Sequence, residues 1–274
     1  MVSASRIDAY LVTEGLARSR GQARELIEAG AVTLDGRRVT RASERVPAGS
    51  LVEAQGDGWV GRAAHKLLAA LEAFRTAHRV AGARCLDVGA STGGFTQVLL
   101  ERGAAHVVAL DVGRGQLASA VADDPRVDER SGLNVRDVRP GDLGEPFDVL
   151  VADLSFISLR LVLPVLAEQL AQSGDAFVLI KPQFEVGRER LGKGGIVRSR
   201  QDRIDAVRQV LLEAGRIGLE AVRLTSSPLP GSGGNVEYLV WWRHGVSPAG
   251  RPADSTGDEA LVERLIEQLD EGLP

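Results

Sequence analysis

The sequence predicts an α/β protein: a mostly parallel sheet with an antiparallel strand at one edge, preceded by a small α+β unit. Three observations lead there. Between residues 63 and 243, apolar strand-like runs alternate with helical stretches. Within that span, Asp87-Val-Gly-Ala-Ser-Thr-Gly-Gly94 reads as strand end, glycine-rich turn and helix start, and the following strand ends in Asp111. Residues 1–55 follow a different plan, two short helices and then strands, before a glycine-rich joint at 56–62.

In the first unit, residues 6–14 place Ile7, Tyr10 and Leu11 at helical spacing and stop at Gly15. Ser19 suits an N-cap for a second helix through Ala29, with Gly30 placed to end it. Residues 31–34 and 38–39 flank Asp35-Gly36, a hairpin signal, and 51–54 offer a last strand. Arg18, Arg20 and Arg24 gather at the second helix, and the last two share a face. They form either a solvated helix face or a set of planar cationic forks for phosphates. Beyond the joint, Arg62 opens a helix over 63–76 that carries Lys66 to the edge of the large domain.

The large domain has predicted strands at 84–88, 106–110, 147–152, 176–180, 220–226 and 236–242. No helix separates the last two, so they are expected to pair antiparallel at one edge. Residues 244–274 form a tail, with a loop over 245–257 and an amphipathic helix over 259–270. Net charge is −4, and 243–274 holds three Lys/Arg against seven Asp/Glu, leaving the body with 30 of each sign. Global charge therefore neither supports nor excludes a nucleic-acid partner. Cys85 is the only cysteine, so an intrachain disulfide or cysteine metal cluster is impossible. The start lacks the apolar core of a signal peptide, and no apolar run approaches the roughly 20 residues that span a bilayer. A cytoplasmic protein without membrane contact is expected.

The glycine loop departs from the dinucleotide fingerprint: Gly89 is followed by three residues and then Gly93-Gly94. Asp111 stands where a ribose-binding carboxylate is expected. Asp87, just before the loop, suits a cationic ligand better than a phosphate. S-adenosylmethionine, with its sulfonium, ammonium and nucleoside, fits both acids. Asp153, Lys181 and Glu237 stand at strand boundaries, and ligands of open α/β sheets gather at the carboxyl ends of strands. They are expected on the same edge as the loop, as a reactive group or a structural ion pair.

Longer motifs carry a resemblance. Arg6-Ile-Asp-Ala-Tyr-Leu-Val12, Gly15-Leu-Ala-Arg-Ser-Arg20 and Leu26-Ile-Glu-Ala-Gly-Ala-Val32 resemble the S4-type RNA-binding domain. The large domain resembles the FtsJ-like ribose 2′-O-methyltransferases, which share the Rossmann-like methyltransferase sheet. With Arg62-Ala-Ala-His-Lys-Leu67, Lys181-Pro-Gln-Phe-Glu185 and Asn235-Val-Glu-Tyr-Leu239, nearly the whole chain resembles the TlyA family, also known as hemolysin A. The resemblance implies a catalytic tetrad of Lys66, Asp153, Lys181 and Glu237, whose chemistry requires no metal. A lysine with an ordinary pKa of about 10.4 is protonated at neutral pH. Lys181 is therefore assigned to orienting the ribose hydroxyl, with removal of its proton as the further step. Asp153 would hold that lysine, Lys66 would fix the nucleotide and Glu237 would complete the network.

The resemblance also implies S-adenosylmethionine as cofactor, bound by Asp87, Gly89, Ala90, Ser91, Thr92, Gly93, Gly94 and Asp111. Asp137 stands as either an adenine contact or a surface acid. Arg6, Arg18, Arg20, Arg24, Arg62 and Lys193 are expected to meet RNA. The implied partner is ribosomal RNA or a ribosomal subunit, and the implied target a cytidine ribose of the large subunit, in some relatives also of the small one. Two other functions compete: a catalytically silent RNA-binding or ribosome assembly factor, and, more remotely, a cytolysin, which the acidic final helix does not favour.

Overall fold

The computed structural model describes residues 5–17, 20–54, 58–245 and 255–270. Arg18, the expected cap Ser19, the joint residues Gly56 and Asp57, and most of the expected loop 245–257 lie outside the described residues. The chain divides into two units, Met1–Arg62 and Ala63–Pro274.

The first unit runs β1 (Ser5–Arg6), α1 (Ile7–Thr13), α2 (Arg20–Glu28), β2 (Val32–Leu34), β3 (Arg37–Arg38), β4 (Arg45–Val46) and β5 (Val52–Ala54). β2 pairs antiparallel with both β3 and β5. At the predicted hairpin, Asp35 (φ 51°) and Gly36 (φ 76°) are both left-handed, as a two-residue turn that follows the strand twist requires. The Asp35 carboxylate also accepts the Leu51 N–H at 2.8 Å, which ties the turn to the start of β5. The β1–β4 pair is absent from the sequence reading because two-residue strands carry no hydrophobic period. Ile7, Leu11, Ala23, Ile27, Val32, Val39 and Val46 close a core of their own.

Three of the expected RNA-binding arginines converge on one buried acid. Asp8 is fully buried and accepts from Arg6 Nε at 3.0 Å and Arg20 Nη2 at 2.9 Å, with Arg24 Nε at 3.8 Å. The Arg6 guanidinium, ahead of Arg20, holds the Asp8 carboxyl well below the usual range, at about 2. Arg6, Arg20 and Arg24 are thus held in place, with side chains 43%, 54% and 56% exposed. The cluster is neither a loose solvated face nor an unpaired positive patch.

The second unit runs α3 (Ala63–Ala73), β6 (Arg84–Val88), α4 (Gly94–Glu101), β7 (His106–Asp111), α5 (Ser119–Ala122), β8 (Val127–Ser131), β9 (Phe147–Ala152) and α6 (Leu163–Gln169). It continues through β10 (Leu170–Ile180), α7 (Arg200–Arg216), β11 (Leu219–Ser226), β12 (Tyr238–His244) and α8 (Ser255–Asp270). The seven strands lie in the order β11-β12-β10-β9-β6-β7-β8. β10, β9, β6, β7 and β8 are mutually parallel, and β12 is antiparallel to both its neighbours. The last two strands thus pair antiparallel at one edge, as expected, with β12 the reversed strand. Residues of β6, β7 and β9 are buried on both faces, the pattern of a parallel sheet covered by helices.

Three features escaped the sequence pattern. β8, with sequence Val-Asp-Glu-Arg-Ser, is a half-exposed edge strand whose charges hide its period and discourage edge pairing. β10 begins at Leu170, six residues before the predicted strand, because a register shift between Leu170 and Asp175 absorbs the polar Gln172-Ser173-Gly174. The final helix joins the core instead of trailing as a tail. Val262, Leu265, Ile266 and Leu269 are buried, and Arg208 of α7 grips Glu263 at 2.7 Å and 3.1 Å.

Candidate active site

Sheet order and register build the site. β6 leads to β7 on one side and, later in the chain, β9 pairs on its other side, so β6 is the topological switch point where a crevice opens. Val88 pairs with Ala152 of β9 and with Leu110 of β7, so the glycine loop, Asp153 and Asp111 follow at one level. Gly89, with φ 85°, is required here: a Cβ on it would lie 2.8 Å from the Asp153 carbonyl oxygen. Its N–H and that of Ala90 both donate to the Leu110 carbonyl. Gly93, with φ 94°, turns the chain into α4, whose first residue is Gly94, and the Thr92 carbonyl accepts the Ala118 N–H.

Ser91 is left-handed at φ 48°, an unusual state for a residue with a side chain. Asp111 holds it there: Oδ2 accepts the Ser91 N–H at 2.8 Å, and Oδ1 accepts the Gly113 N–H at 2.7 Å. A small recess beside them is lined by Ala90, Ser91, Ala109, Asp111, Gly113, Gln116, Leu117, Glu129 and Ser131. A glycine loop, a carboxylate at a strand end and neighbouring hydroxyls are the donor and acceptor set that a nucleoside ligand needs. Asp137 is exposed in the short turn Val135–Asp137 and does not line this recess.

Asp87 differs from its expected role. Its side chain is fully buried beneath the loop, where Oδ2 accepts the Thr96 hydroxyl at 2.6 Å and Oδ1 has no partner. It presents no surface to a cationic ligand, and it holds the loop to α4 instead. Burial pushes its carboxyl up to about 7, against the opposing Thr96 bond and with help from Asp153 and Asp111. The folded protein therefore binds a proton that the unfolded chain releases near pH 4, so Asp87 makes stability fall as pH rises from about 4 to 7. Asp87→Asn is expected to flatten this dependence and to be more stable than wild type at pH 8, by on the order of 1–4 kcal/mol. Thermal unfolding of both proteins from pH 5 to 8 checks it, and parallel curves would refute it.

On the other side of the crevice four charged residues meet. Ile180 of β10 pairs with Tyr238 of β12, so Lys181, one step on, faces Glu237, one step before. Lys66 reaches them from α3. Lys66 Nζ lies 2.6 Å from Glu237 Oε2 and 4.0 Å from Asp153 Oδ2, and Lys181 Nζ lies 2.5 Å from Asp153 Oδ1. The tetrad is thus a chain of alternating charge, Glu237–Lys66–Asp153–Lys181, with a carboxylate at one end and an amine at the other. Glu237 is 1% exposed and Lys181 10%, so the chain is open to solvent mainly at its lysine and Asp153 end.

Several further residues of the site were assigned no role from the sequence. Lys181 Nζ also donates to Ser155 Oγ at 2.9 Å, and Gln183 Nε2 donates to Glu237 Oε1 at 3.2 Å. Gly231 leaves the room that Glu237 occupies, since a Cβ there would sit 2.0 Å from Oε1. Glu185 braces the Asp153 loop by accepting from Leu159 N at 2.6 Å and Ser158 Oγ at 2.7 Å. Phe156 on that loop, at φ 64°, is 92% exposed with its ring centroid 5.3 Å from that of Phe184. Ser155 and Gln183 lie two residues from predicted tetrad members, a proximity visible in sequence, but only the fold turns them inward. Lys193 is exposed on the glycine-rich loop after β10, a loop anchored by Asn235, which accepts the Val197 N–H and donates to the Gly195 carbonyl. Arg62 is half-buried in the first unit.

Among the described residues no group of three or more His, Cys, Asp or Glu could hold a metal ion, and no helix is long and apolar enough to cross a membrane. Residues 59–244 match the FtsJ-like methyltransferase family and residues 5–52 the S4 domain. A Listeria monocytogenes structure assigned as an S-adenosylmethionine-dependent methyltransferase shares the fold, with TM-score 0.50 at 15% identity over 67% of this chain and 99% of its own. Fold and site together define a methyltransferase of the FtsJ-like class joined to an S4 RNA-binding domain. The chain is 48% identical to the 16S/23S rRNA (cytidine-2′-O)-methyltransferase TlyA of Mycobacterium tuberculosis over 98% of this chain and 99% of that one. It is 37% identical to Hemolysin A of Brachyspira hyodysenteriae, over 86% and 98%. A candidate hemolysin of known structure from Streptococcus thermophilus superposes with TM-score 0.72 at 34% identity, covering 98% of each chain. The chain belongs to the TlyA family of rRNA methyltransferases.

Proposed function

We propose that this protein transfers a methyl group from S-adenosylmethionine to the ribose 2′-OH of a cytidine in ribosomal RNA, working on ribosomal subunits in the cytoplasm. The observation that carries the reading is the convergence of Lys66, Asp153, Lys181 and Glu237 at the strand ends that also bear the glycine loop. The cofactor supplies an electrophilic methyl carbon on a sulfonium. The glycine loop around Ser91 would hold its methionine part and Asp111 its ribose, while Asp87 keeps the loop in shape from below.

Lys181 does the acceptor chemistry. Asp153 and Ser155 take two of the directions around its Nζ, leaving the remainder for the ribose hydroxyl. Transfer would form the ribose O–CH3 bond and break the methyl–sulfonium bond, leaving S-adenosylhomocysteine, and the hydroxyl proton would pass to Nζ only after that amine had released one of its own protons to solvent. Holding that oxygen in line with the methyl carbon can contribute up to about 7–11 kcal/mol. Lys66, balanced by Glu237, supplies a fixed cation next to Asp153. Phe156 offers an exposed ring on which a nucleobase stacks, worth about 1–3 kcal/mol per base. Arg6, Arg20 and Arg24 keep half-exposed guanidinium groups for phosphates in the first unit, with Arg18, Arg62 and Lys193 as further candidates.

The test is methyl transfer from labelled S-adenosylmethionine to separate small and large subunits, followed by nucleoside analysis. The expected product is 2′-O-methylcytidine. Label on a base, or no label with either subunit, would overturn the proposal.

A further inference from the structure

The recess at Asp111 raises a question of hydrogen-bond accounting. A ribose diol carries two hydroxyls, each a donor and an acceptor. Asp111, when ionised, only accepts, and one lone pair on each of its oxygens is already used by Ser91 N and Gly113 N. Glu129, the other acid lining the recess, also only accepts when ionised. The hydroxyl oxygens of a bound ribose therefore need a donor other than these acids, and among the lining side chains Ser91, Ser131 and Gln116 carry one.

Gln116 is placed to be that donor. Its carboxamide folds back over Gly113: a Cβ built on Gly113 would fall 1.7 Å from Gln116 Nε2 and 3.1 Å from Asp111 Oδ1. The amide nitrogen therefore fills the place that a side chain at residue 113 would take, next to the carboxylate oxygen. Ser91 Oγ donates to Gln116 Oε1 at 3.4 Å, which leaves the Nε2 hydrogens for a ligand and joins the glycine loop to the opposite wall. Gln116 is itself exposed, so its substitution leaves the core intact.

We infer that Gln116 is a cofactor-binding residue, its Nε2 donating to a ribose hydroxyl oxygen whose own proton is accepted by Asp111. The inference rests on the S-adenosylmethionine reading above. Equilibrium dialysis of the full chain, with ribosomal subunits present, tests it against two ligands: S-adenosylhomocysteine and its 2′,3′-dideoxyribose analogue. Gln116→Ala is expected to weaken S-adenosylhomocysteine about 5- to 30-fold and the dideoxy analogue less than about twofold. Gln116→Glu, which replaces the donor with an acceptor, and Gly113→Ala, which evicts the amide, are expected to weaken S-adenosylhomocysteine at least as much. Unchanged binding by Gln116→Ala, or equal losses for both ligands, would overturn the inference and leave the cofactor reading standing. Failure of the wild-type chain to bind S-adenosylhomocysteine would overturn both.

Discussion

Lys181→Ala is expected to lower the single-turnover rate of ribose methylation about 10²–10⁴-fold while leaving S-adenosylhomocysteine affinity within about twofold. The loss follows from geometry. The Lys181 amine is held by Asp153 Oδ1 at 2.5 Å and Ser155 Oγ at 2.9 Å, and neither partner belongs to the glycine loop. Removing it deletes the group that orients the acceptor hydroxyl and leaves the donor pocket intact. Lys181→Arg is expected to be nearly as poor, because a guanidinium is always charged, so it cannot take the hydroxyl proton, and its fork does not reproduce a single tetrahedral nitrogen. Rapid-quench measurement with saturating subunits checks both. Full activity in Lys181→Ala would sink the tetrad mechanism.

Glu237→Ala is expected to cost stability as well as activity. It strips the 2.6 Å partner from Lys66, whose side chain is 7% exposed, and leaves Asp153 at 4.0 Å as the remaining acid in its chain of ion pairs. Breaking a buried pair from one side costs about 3–5 kcal/mol, because the surviving charge stays buried. For a unit of this size that lowers the melting temperature by roughly 6–20 °C. Adding Lys66→Met to Glu237→Ala is expected to recover most of the stability and none of the activity. Calorimetric melting and the methylation assay on the same three variants separate the two effects. A Glu237→Ala protein that melts like wild type would show that the pair does not hold Lys66 in place.

Much of the site was legible because its parts lie at strand boundaries, and strands buried on both faces announce themselves as apolar runs. Asp153 follows Val149-Leu-Val-Ala152 and Lys181 follows Phe177-Val-Leu-Ile180, so their position at the end of a strand could be read directly. Glu237 was placed by the same reasoning, once β12 was read as running backwards. Asp87 was legible in position but not in orientation. Residue types around a loop do not reveal which side of the backbone a side chain takes, and here it turns inward to Thr96. The arginines of α2 show the same limit: their spacing revealed a shared face, but Asp8, twelve residues before Arg20, is their common partner only in three dimensions.

The sequence by itself determined the alternation of strands and helices, the glycine loop, the strand-boundary positions of Asp153, Lys181 and Glu237 and the separate first unit, since these follow from local periodicity and turn chemistry, while the grouping with Lys66 came from the family resemblance. The tertiary structure alone decided what those pieces touch. Strand order and register set Lys181 against Glu237, let Gly89 approach Asp153, turned Asp87 under the loop and brought Gln116 over Gly113 beside Asp111. These relations join residues distant in the chain or depend on which way a side chain turns. They are settled by the packing of the sheet and its helices as a whole, and no local pattern encodes them.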